Sequence, residues 1–117
     1  MFKISNNDFK ILNVYKTFLN RFDHSLENVP RRDYYYKDKC KQISNELLML
    51  LFECSYEKDN NNIDYYFKKI KSCIAYLDFM LDRLFCKKYI SDKSLYLLGE
   101  DLIQINKMIT GWINNLK

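Results

Sequence analysis

Among the side chains able to do chemistry in this 117-residue chain, it is the cations that come in clusters. Arg31 and Arg32 stand together, with Lys37, Lys39 and Lys41 close behind. Lys68, Lys69 and Lys71 form a second group, and Lys87 with Lys88 a third. Several cations on one continuous surface can hold phosphate, and the same side chains can serve as protein contacts. At i,i+3, Lys68 and Lys71 are expected to share a helix face, with Lys69 rotated away. Asp33, Asp38, Asp64, Asp78 and Asp82 interrupt the clusters. Lys87 and Lys88 also suit a helix C-terminus, where the dipole favours cations. For any one cluster, a solvated face is the default.

Groups suited to catalysis are scarce. His24 is the one histidine, and its place beside Asp23 and Arg21 suits a solvated surface better than a general base. Glu46 and Glu53 share a helix face, but no Glu-x-x-His occurs of the kind that holds two metals in a bundle. Cys40, Cys54, Cys73 and Cys86 form no CxxC pair, so a zinc site has little support, and most fall on apolar stripes as core thiols. Gly99 and Gly111 alone cannot write a phosphate-binding glycine loop. No catalytic residue, metal site or cofactor is expected.

The elements that must position the cations follow from apolar spacing. Two Gly and one Pro cannot furnish the turns of an all-β fold. Leu95, Leu98, Leu102, Ile105, Ile109, Trp112 and Leu116 recur at alternating steps of three and four, one stripe along a helix that Ser91 can cap. Ile63, Tyr66, Phe67, Ile70, Cys73, Ile74, Leu77, Leu81 and Leu84 repeat the pattern from about 63 to 88, behind an Asp59–Asn62 loop. A second helix is expected from about Pro30 to Tyr56, with Tyr36, Cys40, Ile43, Leu47, Leu50, Leu51 and Cys54 inward. The first runs from about Asn7 to Leu26, with Phe9, Leu12, Tyr15, Phe18, Leu19, Phe22 and Leu26 inward and Ser5 with Asp8 as a capping box. Short joints make this a single all-α domain over residues 1–117, an antiparallel up-down-up-down four-helix bundle.

Aromatics make up 16% of the chain, more than a bundle of this size hides. Ile11 and Val14 on the first helix, and Phe79, Met80 and Phe85 on the third, are expected as surplus apolar surface, which favours self-association or a protein partner. The net charge of +4 falls mainly in the third quarter of the chain and permits a polyanion partner without demanding one. The polar N-terminus and a longest apolar run of six residues, Leu47–Phe52, predict neither a signal peptide nor a membrane span. A cytoplasmic protein with reduced thiols is expected.

The order of several short segments carries a resemblance. Val29-Pro30-Arg31-Arg32 lies between helices one and two, Leu77-Asp78-Phe79-Met80-Leu81 late in helix three, and Tyr89-Ile90-Ser91 at the last joint. Ile105-Asn106-Lys107-Met108-Ile109-Thr110-Gly111-Trp112-Ile113 closes the chain. Together these resemble the four-helix-bundle accessory variability determinant family of diversity-generating retroelements, over roughly residues 14–117. The resemblance implies a non-catalytic bundle that assembles as a homopentameric barrel, binds the element's reverse transcriptase and contacts template RNA and cDNA through basic surface. Arg31 and Arg32 match the family's basic pair after Pro. Gly111 and Trp112 match its ending, with the Gly allowing close helix approach and the Trp filling the core. Where relatives carry Arg in helix three, this chain has Asp78 and Asp82, with Arg83 displaced by one. A sister family, encoded in intervening sequences of ribosomal RNA genes, usually reads S-I-P-S-N-I-A-E-G in helix two, and this chain does not.

The leading expectation is therefore an accessory subunit with Arg31, Arg32, Lys68, Lys71, Lys87 and Lys88 as its nucleic-acid or partner contacts. The alternative is a four-helix-bundle protein-interaction module with no nucleic-acid role.

Overall fold

The three-four spacing of apolar residues is realised as four helices: α1 (Asn6–Leu26), α2 (Tyr34–Tyr56), α3 (Asn60–Cys86) and α4 (Asp92–Leu116). The computed structural model describes residues 6–117, with side chains from Lys10 onward. The expected Ser5–Asp8 cap and the inward place of Phe9 lie outside the described residues. Successive helices run antiparallel, up-down-up-down, around one apolar core. The long axis is 43 Å, about the length of a 27-residue helix at 1.5 Å per residue.

Caps start and stop these helices where the sequence places polar residues. Ser91 Oγ accepts from Ser94 N (3.1 Å) and opens α4. Asp59 Oδ1 accepts from Asn61 N (2.8 Å) and opens α3 at Asn60. The asparagines after Asp59 thus form the first turn of α3 and not a loop. The start of α2 also differs from expectation. Pro30 is extended (φ −73°, ψ 163°), Arg31–Asp33 form a short 3-10 turn, and α2 proper begins at Tyr34. Asp33 sits at the N-cap of α2 without capping it. Its carboxylate accepts from the Tyr89 hydroxyl and faces Lys87 Nζ at 3.5 Å, so it serves the far joint.

Tyr15, Phe18, Phe22 and Leu26 from α1 meet Leu47, Leu77, Leu81, Leu98 and Ile105 in the core. Two residues expected as surplus belong there as well. Ile11 is one turn before Tyr15 on the same stripe, and Met80 is two turns after Cys73; both are buried. Phe85 is half-buried against the core, while Phe79 stays 60% exposed. Trp112 is buried as expected. Gly111 corrects the close-approach expectation, because a Cβ there would meet nothing within 4 Å.

α2 packs chiefly on α3, α1 on α4, and α3 on α4, while α1 and α2 meet along a looser seam. The Tyr15 hydroxyl crosses that seam and donates to the Ser44 carbonyl (2.6 Å), and Ser44 Oγ donates to the Cys40 carbonyl (2.7 Å). Burial raises the Tyr15 phenol well above its ordinary value, so it stays a neutral donor. On the other side of α1, Arg21 grips Asp101 of α4 with both carboxylate oxygens at 3.0–3.1 Å.

Tyr15→Phe should therefore lower stability by about 1 kcal/mol, the net worth of one buried hydrogen bond. Leu77→Ala, in the same core, should cost about 2–5 kcal/mol. Urea midpoints of the two variants against wild type check both.

Candidate functional site

The antiparallel pairing of α2 and α3 gathers cations at one end of the bundle. Asp33, next to Arg31 and Arg32 in the 3-10 turn, faces Lys87 at the end of α3, and Lys88 follows it in the chain. Lys87 Nζ lies 5.2 Å from the centroid of the Tyr36 ring and 3.5 Å from Asp33 Oδ2. Arg83 Nη2 donates to the Tyr36 hydroxyl at 3.5 Å. Arg31, Arg32 and Lys88 form no ion pair among the described residues. The hydrogen bond from Tyr89, with Lys87 and Arg32 nearby, holds the Asp33 carboxyl below the usual carboxylate range, and the same bond raises Tyr89.

Lys88 has φ +66°, the left-handed position usually given to glycine. Lys88 N donates to the Phe85 carbonyl and Tyr89 N to the Leu84 carbonyl, both at 2.9 Å, which closes α3 in a Schellman turn. A β-carbon there costs about 1–2 kcal/mol. The turn therefore holds a cation outward at the basic end where glycine would be more stable.

The second cluster divides, against its expected helical face. Lys71 turns toward α4: its Nζ donates to Asn106 Oδ1 and to Thr110 Oγ1 (2.6 Å) and lies 5.1 Å from the Phe67 ring centroid. Burial lowers its ammonium from the ordinary lysine value. Lys68 and Lys69 instead line an open groove of about 440 Å³ between α2 and α3. Buried Cys73 and half-buried Ile43 and Tyr76 form its apolar side. Exposed Tyr65, Ser72 and Glu46 complete the lining, and Lys69 Nζ lies 5.7 Å from the Tyr65 ring centroid. The i,i+3 pair straddles the outer side of α3, so Lys68 falls toward α2 and Lys71 toward α4.

Asp78 is two turns beyond Lys71, on the α4 side of α3, and Asp82 follows one turn later; both are exposed. Arg83 faces the other way, toward α2. The acids that depart from the resemblance thus point away from the Tyr36–Asp33 network.

Other titratable groups are dispersed. His24 is exposed, with Nδ1 3.5 Å from Glu27 Oε2. Cys40, Cys54 and Cys73 are buried and unbridged, and burial pushes the Cys40 thiol up to about 12. Cys86 is exposed. No group of three or more His, Cys, Asp or Glu that could hold a metal occurs among the described residues. Nor is any described helix long and apolar enough to cross a membrane.

Asp33, Tyr36, Arg83 and Tyr89 are the site residues that cation clustering missed. The signal for them was topological: antiparallel helices joined near Asn60 must bring residues 31–36 opposite residues 83–89. Comparison with protein-family models, curated proteins and solved structures gives no match.

Asp33 is depressed in the folded state, so its contribution is complete above the ordinary carboxylate value and is lost as pH falls through its own lower one. Asp33→Asn should reduce the Tm at neutral pH, and the gap to wild type should narrow as the medium is acidified below about pH 4. A thermal melt series against pH reads this directly. A gap independent of pH would remove the charge from the account.

Proposed function

We propose that this chain is a non-catalytic four-helix-bundle module that acts by binding another protein. The observation that carries the reading is the outer face of α2 and α3. Tyr35, Tyr65 and Phe79 stand 68%, 57% and 60% exposed there, beside a groove that the bundle leaves open. The fold does not need these rings, since its core is complete without them. Large aromatic side chains held in water gain free energy when a partner covers them. Interfaces draw on Tyr and Phe for that reason.

A finer reading makes the partner a reverse transcriptase and the assembly a homopentamer that contacts RNA and cDNA, as the resemblance implies. What favours an anionic contact is the convergence of Arg31, Arg32 and Lys88 beside Lys87 at one end, with no ion pair engaging the first three. In this reading Lys71 drops out as a contact, because Asn106 and Thr110 already occupy it. Lys68 belongs to the groove.

The two readings separate experimentally. A tagged chain and its Tyr35→Ser/Tyr65→Ser/Phe79→Ser variant, matched for helicity and Tm, are used to capture partners from the source cell. Loss of a specific partner from the variant supports the module. Identical partner sets would refute the aromatic face as the carrier of function. Light scattering then gives the assembly: a mass near five times 14.3 kDa supports the pentamer, and a mass near 14.3 kDa sinks it.

For the anionic contact, Arg31→Ala/Arg32→Ala should flatten the log–log salt dependence of single-stranded RNA binding by about 1.4, at roughly 0.7 per lost phosphate contact. Lys88→Gly should weaken the same binding while raising stability by about 1 kcal/mol, because it relieves the left-handed strain. An unchanged slope in the double variant would end the nucleic-acid reading.

A further inference from the structure

The α2–α3 groove has a chemistry of its own, distinct from the basic end. Its walls are unequal. The α3 wall carries Lys68 and Lys69, and neither forms an ion pair among the described residues. The α2 wall carries Glu46. Glu53, two turns further along α2, sits by the Tyr66 phenol, which burial and this carboxylate raise. Between the walls lie Ile43 and Tyr76, half-buried, with water on their open side.

We infer that this groove receives a short segment of a partner protein in which an apolar side chain is flanked by carboxylates. The inference rests on the protein-binding reading and names the chemistry of the partner. The apolar anchor covers Ile43 and Tyr76, removing their exposed surface from water. A carboxylate beside the anchor reaches Lys68 or Lys69 on the α3 wall, neither of which is ion-paired among the described residues, while Glu46 keeps it off the α2 wall. The Tyr65 ring holds Lys69 by a cation–π contact, which orders the ammonium before the partner arrives.

Two competing occupants fit less well. A nucleic-acid strand needs a cationic track along its backbone, and here Glu46 and Glu53 stand on the facing helix. A small molecule bound on its own needs walls that bury most of its surface, whereas this groove is open. A side chain carried on a protein meets neither difficulty, because contacts on either side of the groove add to its anchoring.

The test is a titration of the ¹⁵N-labelled chain with a synthetic peptide bearing one phenylalanine between glutamates. Controls are the same peptide with lysine for glutamate, the same peptide with alanine for phenylalanine, and oligothymidylate. Saturable amide shifts confined to residues 43–46 and 65–76, weakened in both peptide controls, support the assignment. Lys68→Glu/Lys69→Glu should loosen binding about tenfold or more, leave the thermal melt unchanged, and bind the lysine peptide better than wild type does. These lysines are exposed, so the variant keeps its core.

Shifts centred on Arg31, Arg32 and Lys88, equal binding of the lysine peptide, or stronger binding of oligothymidylate in the groove would each overturn the inference. So would the absence of saturable shifts at millimolar peptide, or the groove's burial by a second copy in the peptide-free chain. If partner capture still depends on Tyr35, Tyr65 and Phe79 while this titration fails, the module reading stands and the groove assignment falls.

Discussion

The reversal between α2 and α3 fixes what every later part of the molecule can do. Glu57 accepts from Lys58 N and Asp59 N at 3.1 Å, and Asp59 then caps α3. These backbone contacts pull the Glu57 carboxyl below its ordinary value. They hold the turn to three residues, so α2 and α3 can pair only antiparallel and nearly in register from end to end. One consequence lies about 25 residues away in sequence on either side: the 3-10 turn at Arg31–Asp33 arrives beside the end of α3. Another is the groove, lined by Ile43 and Glu46 from α2 and by Lys68, Lys69 and Tyr76 from α3.

Against that hairpin, α1 is held by its apolar stripe and by two polar ties. Its stripe buries Phe18 and Phe22 fully. Its lateral ties are Arg21 to Asp101 on one side and Tyr15 to the Ser44 carbonyl on the other. The two are not equal. Arg21 is partly exposed and screened, as surface ion pairs are. The Tyr15 bond is dry, so an unmade partner there would carry the full desolvation cost of a buried polar group. Specific docking of α1 on α2 therefore depends on Tyr15 more than on any charge.

The helices, their order and most of the core were legible because they rest on local periodicity. Leu98, Leu102, Ile105 and Ile109 are inward in the sequence pattern and buried in the fold. Ile11 and Met80 were misplaced because a wide stripe and a surplus residue look alike until the opposing helix is known. The start of α2 was misread for a related reason. Pro30 marks a helix start by local rule, but Asp33 is drawn off by Tyr89 and Lys87, partners more than 50 residues distant. The same distance hid the basic end. Cation clustering in sequence finds neighbours along the chain, and a site made from two helix ends needs the fold first.

The cations that look alike in sequence now occupy three environments, and their separation limits what one ligand can feel. Lys68 and Lys87 are 19 residues apart on one helix, about 28 Å at 1.5 Å per residue. The screening length at physiological salt is about 8 Å. An anion seated at Arg31 and Arg32 therefore gains almost nothing from Lys68 or Lys69, and the groove gains almost nothing from the end. Lys71 belongs to neither surface. Its ammonium faces two neutral oxygens and an aromatic ring in the α3–α4 seam, with burial opposing its charge. Pulling it out to meet a ligand would break both hydrogen bonds for one screened contact in water. Its position makes it a tie between helices, and the net charge of +4 overstates the field available at any single binding surface.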